Sequence, residues 1–200
     1  MFDSLIKSYL GGEVEKDPDK QMVYLHLLAL NFQEFFDAKP LFEELDKKLP
    51  EDKKEELRKI AKKIASKQVT LLTKPWDKIP ELSLVEGEGK TNQGEFKLTV
   101  NGSPFTFLVE LLSIGSSSAE VRVSGMETIE SKPLEFAVSF YDMPFMDNTK
   151  LMNGSRFAFI LKNLDLKTKT AVIQVIFFPE KYMSLRDRPY FEEMLSKVRE

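Results

Sequence analysis

Residues 95–112, EFKLTVNGSPFTFLVELL, contain two runs of alternating polar and apolar residues separated by Asn101-Gly102. Alternation with a period of two is typical of strands that bury one face. Asn-Gly between two such runs is a strong hairpin signal, because both residues tolerate the positive φ of a type I′ turn. The stretch therefore predicts an antiparallel hairpin with strands over residues 95–100 and 105–112.

Further short apolar runs with the same period flank this hairpin, and polar turns separate most of them. Short strands joined by polar turns favour an antiparallel β-sandwich over a parallel sheet. The six additional predicted strands cover residues 69–73, 82–86, 119–124, 134–141, 156–161 and 171–178.

Before residue 68 the apolar residues follow helical spacing instead. Helices are predicted over residues 4–10, 18–37 and 40–48, and a fourth begins at Pro50; Asp17 and Pro18 supply an N-cap and a first helical residue. The fold class is therefore α+β, with a helical N-terminal domain (1–67) and an antiparallel β-sandwich domain (68–200). A C-terminal helix, introduced by Asp187 and Pro189, is expected to pack on the sandwich.

Composition excludes several classes of chemistry. The 200 residues include 29 basic and 32 acidic side chains, one histidine and no cysteine. A net charge of -3 gives no reason to expect nucleic acid as a partner, and one histidine without cysteine leaves no multi-histidine or thiolate metal site. We expect no cofactor, no membrane span and no signal peptide, and therefore a cytoplasmic protein.

The single histidine and the charged fourth helix have ordinary interpretations. His26 falls on a polar stripe of the second helix, which predicts a surface histidine without a catalytic partner. The fourth helix has acids near its start and lysines toward its end, an order that suits the helix dipole and permits i, i+4 pairs. A solvated helix is the expectation, and no catalytic residue is predicted.

One face of the predicted sheet is too apolar for a freely solvated surface. We expect the helical segment or the final helix to cover part of it, and the alternative is another chain or a ligand. The face contains Leu108, Glu110, Leu112, Arg122, Glu135, Ala137, Tyr141, Arg156, Ala158, Ile160 and Lys162.

The segment 141–152 is the favoured binding site, because it places three of the eight methionines with aromatic residues in a connection between strands. Flexible thioethers and aromatic rings suit adaptable binding surfaces. The alternative is a long connection that folds back over one end of the sheets. The predicted partner-binding residues are Tyr141, Met143, Phe145, Met146, Leu151 and Met152.

These features favour a non-catalytic, cytoplasmic protein–protein interaction or assembly module, with a protein partner or self-association. A second hypothesis is a carrier that holds a hydrophobic small molecule within the phenylalanine-rich sandwich. A third is a carboxylate-based glycan hydrolase that uses Asp142 and Glu110.

Overall fold

The computed structural model describes residues 2–12, 14, 16–34, 36–74, 79–87, 90–100, 103–125, 133–151, 154–179, 182–184 and 186–188. Within these residues the chain is α+β, with helices in the first part and strands in the second. The helices are α1 (Phe2–Tyr9), α2 (Pro18–Asn31), α3 (Lys39–Lys48) and α4 (Glu51–Leu72).

Three of the four helices, α2, α3 and α4, start at or next to a proline. The Asp17 carboxylate accepts hydrogen bonds from the backbone N–H groups of Asp19 and Lys20, at 3.1 and 3.2 Å. Pro18 is the first residue of α2 and needs no such partner. α2 ends at Asn31, earlier than the predicted end at residue 37.

The fourth helix is longer than predicted, and the strand expected over residues 69–73 is wrong. Gln68, Val69 and Leu72 are buried and continue the helical spacing of the apolar residues before them. The helix therefore passes through residues 67 and 68, and the change from helix to strand falls between Leu72 and Glu81.

Two sheets follow, with strand orders β2-β3-β4-β5 and β1-β8-β7-β6-β9. All pairs are antiparallel except β6 with β9. β2 and β3 pair as far as Val100 and Ser103, which confirms the predicted hairpin; residues 101 and 102 lie outside the described residues. The strands are β1 (Glu81–Val85), β2 (Gln93–Val100), β3 (Ser103–Ile114), β4 (Ser118–Ser124), β5 (Leu134–Ser139), β6 (Asn148–Lys150), β7 (Arg156–Asp165), β8 (Thr170–Phe177) and β9 (Asp187–Arg188).

The inner faces of the two sheets share one hydrophobic core. Phenylalanine rings meet across it: the centroids of Phe96 and Phe157 are 5.9 Å apart, and those of Phe136 and Phe159 are 5.8 Å apart. Such ring pairs contribute stability beyond the area that they bury. Phenylalanines of β2, β3, β5 and β7 therefore belong to one buried cluster.

The helices cover the other face of the β1-β8-β7-β6-β9 sheet. Ala158, Ile160 and Ile176 belong to the same buried cluster as side chains of all four helices. We call the β1-β8-β7-β6-β9 sheet, whose residues belong to both buried clusters, the central sheet, and the β2-β3-β4-β5 sheet the outer sheet. The predicted mixed face is divided: Ala158 and Ile160 lie under the helices, while Glu110 and Arg122 lie on the outer sheet.

Two short strands had no counterpart in the sequence prediction. β6 and β9 are three and two residues long, and their parallel pairing adds an edge to the central sheet. The predicted C-terminal helix falls on residues 189–200, which lie outside the described residues.

Candidate functional site

The predicted binding segment is buried inside the molecule. Five of its six predicted contact residues have exposed fractions of only 1 to 6%, and Met152 lies outside the described residues. The β5–β6 loop (residues 140–147) fits between the helices and the central sheet. The five are Tyr141, Met143, Phe145, Met146 and Leu151.

Tyr141 fixes this loop to α3. Its phenol donates a hydrogen bond of 2.6 Å to Asp46 Oδ1, and its ring stacks on that of Phe42 with centroids 5.6 Å apart. Burial, and then the hydrogen bond to the carboxylate, raises the pKa of the Tyr141 phenol well above its usual range. The phenol therefore stays protonated and remains a hydrogen-bond donor.

A buried ion cluster forms the second attachment. Lys39 Nζ lies 2.8 Å from Asp142 Oδ1 and 3.8 Å from Asp147 Oδ1, and both carboxylates are fully buried. Asp142 also accepts hydrogen bonds from the backbone and hydroxyl of Ser139. Because a buried charge is costly without a partner, this geometry makes Lys39 important for the position of the loop.

Amide side chains complete the attachment. The backbone N–H of Phe145 donates to Gln68 Oε1 of α4 at 3.0 Å. Asn148 Nδ2 donates to Ser184 Oγ at 2.8 Å, and its Oδ1 accepts from Arg156 Nη1 at 2.9 Å. The loop is thus joined to α3, α4 and the edge of the central sheet.

These contacts fit the alternative interpretation of residues 141–152, in which they form a long connection that folds back over one end of the sheets. A partner would reach the side chains of Tyr141, Met143 and Phe145 only after the helices moved away from the central sheet. Direct contact of these residues with a partner stays an untested prediction.

The outer face of the β2-β3-β4-β5 sheet carries a row of charges across three strands. Arg122 Nε lies 2.8 Å from Glu135, and its Nη1 lies 2.9 Å from Glu110. Leu108 and Leu112 stand on the same face of β3 and are partly exposed. Arg122 thus bridges the two glutamates of the neighbouring strands.

The most exposed apolar side chains of α2 and α4 lie on the surface of the helical layer. Val23 and Leu27, one turn apart on α2, have exposed fractions of 59 and 42%, and Leu71 of α4 has 59%. Val23, Leu27 and Leu30 make the middle of α2 apolar on nearly every side, a pattern that suggests burial. That pattern was the available signal for this surface, although it pointed to a central helix.

Two contacts show how α2 and α4 lie relative to each other. Lys53 Nζ, at the start of α4, is 2.6 Å from Asp19 Oδ2 at the start of α2. Farther along both helices, Lys63 acts electrostatically on His26. The helices therefore run parallel, and Val23 lies on the side of α2 that holds Asp19 and His26, next to α4.

One side of α4 continues this surface. Lys59, Lys63, Lys67 and Leu71 recur at every fourth residue and are all exposed. We call the six residues Val23, Leu27, Lys59, Lys63, Lys67 and Leu71 the α2–α4 surface.

His26 is partly buried at this helix pair, where a surface histidine was expected. Its Nε2 is buried and finds no hydrogen-bond partner among the described residues. Burial, and then the charge of Lys63, lowers the pKa of the imidazole. The neutral form is therefore favoured.

The residues of the hydrolase hypothesis are far apart in the architecture. Asp142 is buried under the helices with Lys39, whereas Glu110 pairs with Arg122 on the outer sheet. No group of three histidine or acidic side chains in the described ranges is arranged to hold a metal ion. No helix in those ranges combines the length and hydropathy required to cross a bilayer.

Comparison with protein-family models, with curated proteins and with solved structures found no match to this chain.

Proposed function

We propose that this protein is a non-catalytic, cytoplasmic interaction module that binds another protein through the α2–α4 surface. The observation that carries the proposal is the exposure of Val23 and Leu27, side by side on a helix whose other apolar residues are mostly buried. Full burial of such a side chain contributes roughly 1.5–3 kcal/mol. Because Val23 and Leu27 are 59 and 42% exposed, a partner helix or loop that covers them would gain only the corresponding part of that stabilisation.

The remainder of the chain supports this surface. We interpret the two sheets, whose inner side chains share one core, as a β-sandwich that acts as a rigid base for the helices. The contacts of Lys39, Asp46 and Gln68 with the β5–β6 loop hold α3 and α4 on that base. Rigid elements position a binding surface more accurately than loops do.

The test is quantitative affinity capture from cells that produce the protein. The variant Val23→Glu with Leu27→Glu places two charges in the proposed contact. Leu166→Glu is the matched control, because Leu166 is 57% exposed and belongs to the turn between β7 and β8 instead of a helix. Circular dichroism and thermal unfolding of each variant establish that the fold is intact.

The expected result is a partner that the natural protein and Leu166→Glu retain and that the α2 double variant loses. Equal capture by all three proteins would reject the surface. Failure of the natural protein to capture any partner would reject the interaction function.

The carrier and hydrolase hypotheses gain no comparable support. Phenylalanine rings contact one another directly in the space between the sheets, where a carrier would need a cavity. The two carboxylates of the hydrolase hypothesis belong to separate ion pairs.

A further inference from the structure

We infer that the segment that binds the α2–α4 surface is an acidic amphipathic helix of a partner protein. This inference rests on the proposed function and names the chemistry of the partner. It is supported by the charge of α4, by three exposed lysines of α4 that form no ion pair with described residues, and by the arrangement of the exposed apolar residues.

Basic residues are concentrated in the part of α4 from residue 57 onward and in the two residues that follow the helix. Residues 57–74 contain six basic side chains and no acidic one, although the protein as a whole has a net charge of -3. Four of these basic residues, Lys59, Lys62, Lys63 and Lys67, are exposed on α4. A surface of one sign attracts partners of the other sign and raises their association rate.

Three exposed lysines of α4, Lys59, Lys63 and Lys67, form no ion pair with the described residues, unlike the lysines at the start of the helix. At the start of α4, Lys53 pairs with Asp19 and Lys54 pairs with Glu51. Within the described part of the chain, no ion pair involves Lys59, Lys63 or Lys67. Their ammonium groups are therefore available to carboxylates of another molecule, without loss of an existing pair.

The exposed apolar residues of the α2–α4 surface are placed so that a partner helix could pack alongside α2 and α4. From Lys59 to Leu71 the surface extends about 18 Å, or roughly three helical turns. Val23 and Leu27 border it on α2, and Leu71 borders it at the end of α4. A partner helix with leucines at i, i+3 or i+4 and i+7 can contact these side chains while its flanking glutamates face the lysines.

The side chains favour a protein segment over a membrane or a nucleic acid. Helices that lie in a bilayer interface use exposed Trp, Phe or Leu in numbers, and single-stranded nucleic acids stack on aromatic rings. In the described part of α2 the only aromatic residue, Tyr24, is partly buried, and α4 has none. Arg58 is directed toward the Ser116 carbonyl and the Phe140 ring instead of the α2–α4 surface.

The probe for the test is a synthetic 20-residue amphipathic peptide with leucines at helical spacing and glutamates at most other positions. A second peptide replaces every glutamate with lysine, and vesicles containing phosphatidylserine serve as a third probe. Binding is followed by ¹⁵N-edited NMR titration, which reports both the affinity and the residues that respond.

Two charge-reversal variants distinguish the effect of the α2–α4 surface on peptide binding from the effect of the protein's net charge. Lys63→Glu with Lys67→Glu changes the α2–α4 surface, whereas Lys97→Glu with Lys167→Glu makes the same change of charge at exposed positions on β2 and in the β7–β8 turn. We expect the acidic peptide to shift the resonances of Val23, Leu27 and Lys63. We expect its affinity to fall at least about tenfold in the first variant and less than about twofold in the second.

Absence of binding by the acidic peptide, or equal loss in both variants, would overturn the inference. Preferential binding of the lysine peptide or of the vesicles would also overturn it, and would assign the surface to another class of ligand. A partner that affinity capture loses with Val23→Glu/Leu27→Glu but retains with Lys63→Glu/Lys67→Glu would leave the proposed function standing and reject the acidic helix.

Discussion

The Tyr141 phenol lies 2.6 Å from Asp46 Oδ1, and this hydrogen bond joins the β5–β6 loop to α3 in the interior. Tyr141→Phe keeps the ring stacked on Phe42 but leaves the buried carboxylate without this donor. We expect the free energy of unfolding to fall by about 1–3 kcal/mol. Urea denaturation measures the loss.

Tyr24→Phe is the matched control, because Tyr24 is partly buried on α2 and its hydroxyl makes no hydrogen bond with described residues. Its effect should stay within about 0.5 kcal/mol. Equal losses in the two variants would show that the Tyr141–Asp46 bond does not fasten the loop.

Lys39 is expected to contribute more to the free energy of unfolding than any lysine on the exposed surface of the helices. Lys39→Met removes the ammonium group from two buried carboxylates, Asp142 and Asp147, and should lower the free energy of unfolding by about 3–5 kcal/mol. Lys54→Met removes the pair with the exposed Glu51 and should have a much smaller effect. Chemical denaturation of both variants tests the difference, and similar values would contradict the proposed role of Lys39.

The titration of His26 should make the protein less stable in mild acid. Burial, followed by Lys63, lowers the folded-state pKa of this residue, so the unfolded chain binds a proton more readily. Its contribution is complete above the unfolded pKa of about 6.5 and is lost as the pH falls from that value through the lower folded-state pKa. The free energy of unfolding should therefore decline more steeply from about pH 7 to about pH 5 in the natural protein than in His26→Gln; parallel curves would refute this.

Gly125 occupies a backbone conformation that other residues rarely adopt. Its φ is +78°, and a Cβ at this position would lie 2.7 Å from the Thr106 carbonyl oxygen. Gly125→Ala should reduce stability by about 1 kcal/mol or more. Gly12→Ala, where a Cβ meets nothing within 4 Å, should change stability by less than about 0.5 kcal/mol; thermal unfolding of the pair measures the contrast.

The local signals in the sequence predicted most of the secondary structure. The effect of Asp17, Pro18 and Pro50 on a helix start is confined to one helical turn. The Asn101-Gly102 signal depends only on the two alternating runs beside it. Neither signal depends on distant residues. Residues 69–73 were predicted wrongly because a five-residue apolar run fits both periods. Its buried side chains, which extend the packing face of α4, resolve that ambiguity only in three dimensions.

Local sequence signals could not predict which apolar residues are buried and which are exposed. An apolar residue in a sequence indicates burial without saying what covers it. Met143 and Phe145 belong to the predicted binding segment and are covered by the helices, whereas the apolar pattern of α2 favours burial of Val23 and Leu27, which are exposed. The buried cluster of Lys39 with Asp142 and Asp147 joins residues about a hundred positions apart, and no local pattern signals it.

The central sheet gives alternate side chains of the same strands to two different cores. On β7, Phe157 and Phe159 pack toward the outer sheet while Ala158 and Ile160 pack toward the helices. Loss of packing in one core would therefore displace the β7 backbone, which also positions the side chains of the other core. The described helices and strands should therefore melt in one cooperative transition, and the amide protons of β7 and β8 should be the last to exchange with deuterium.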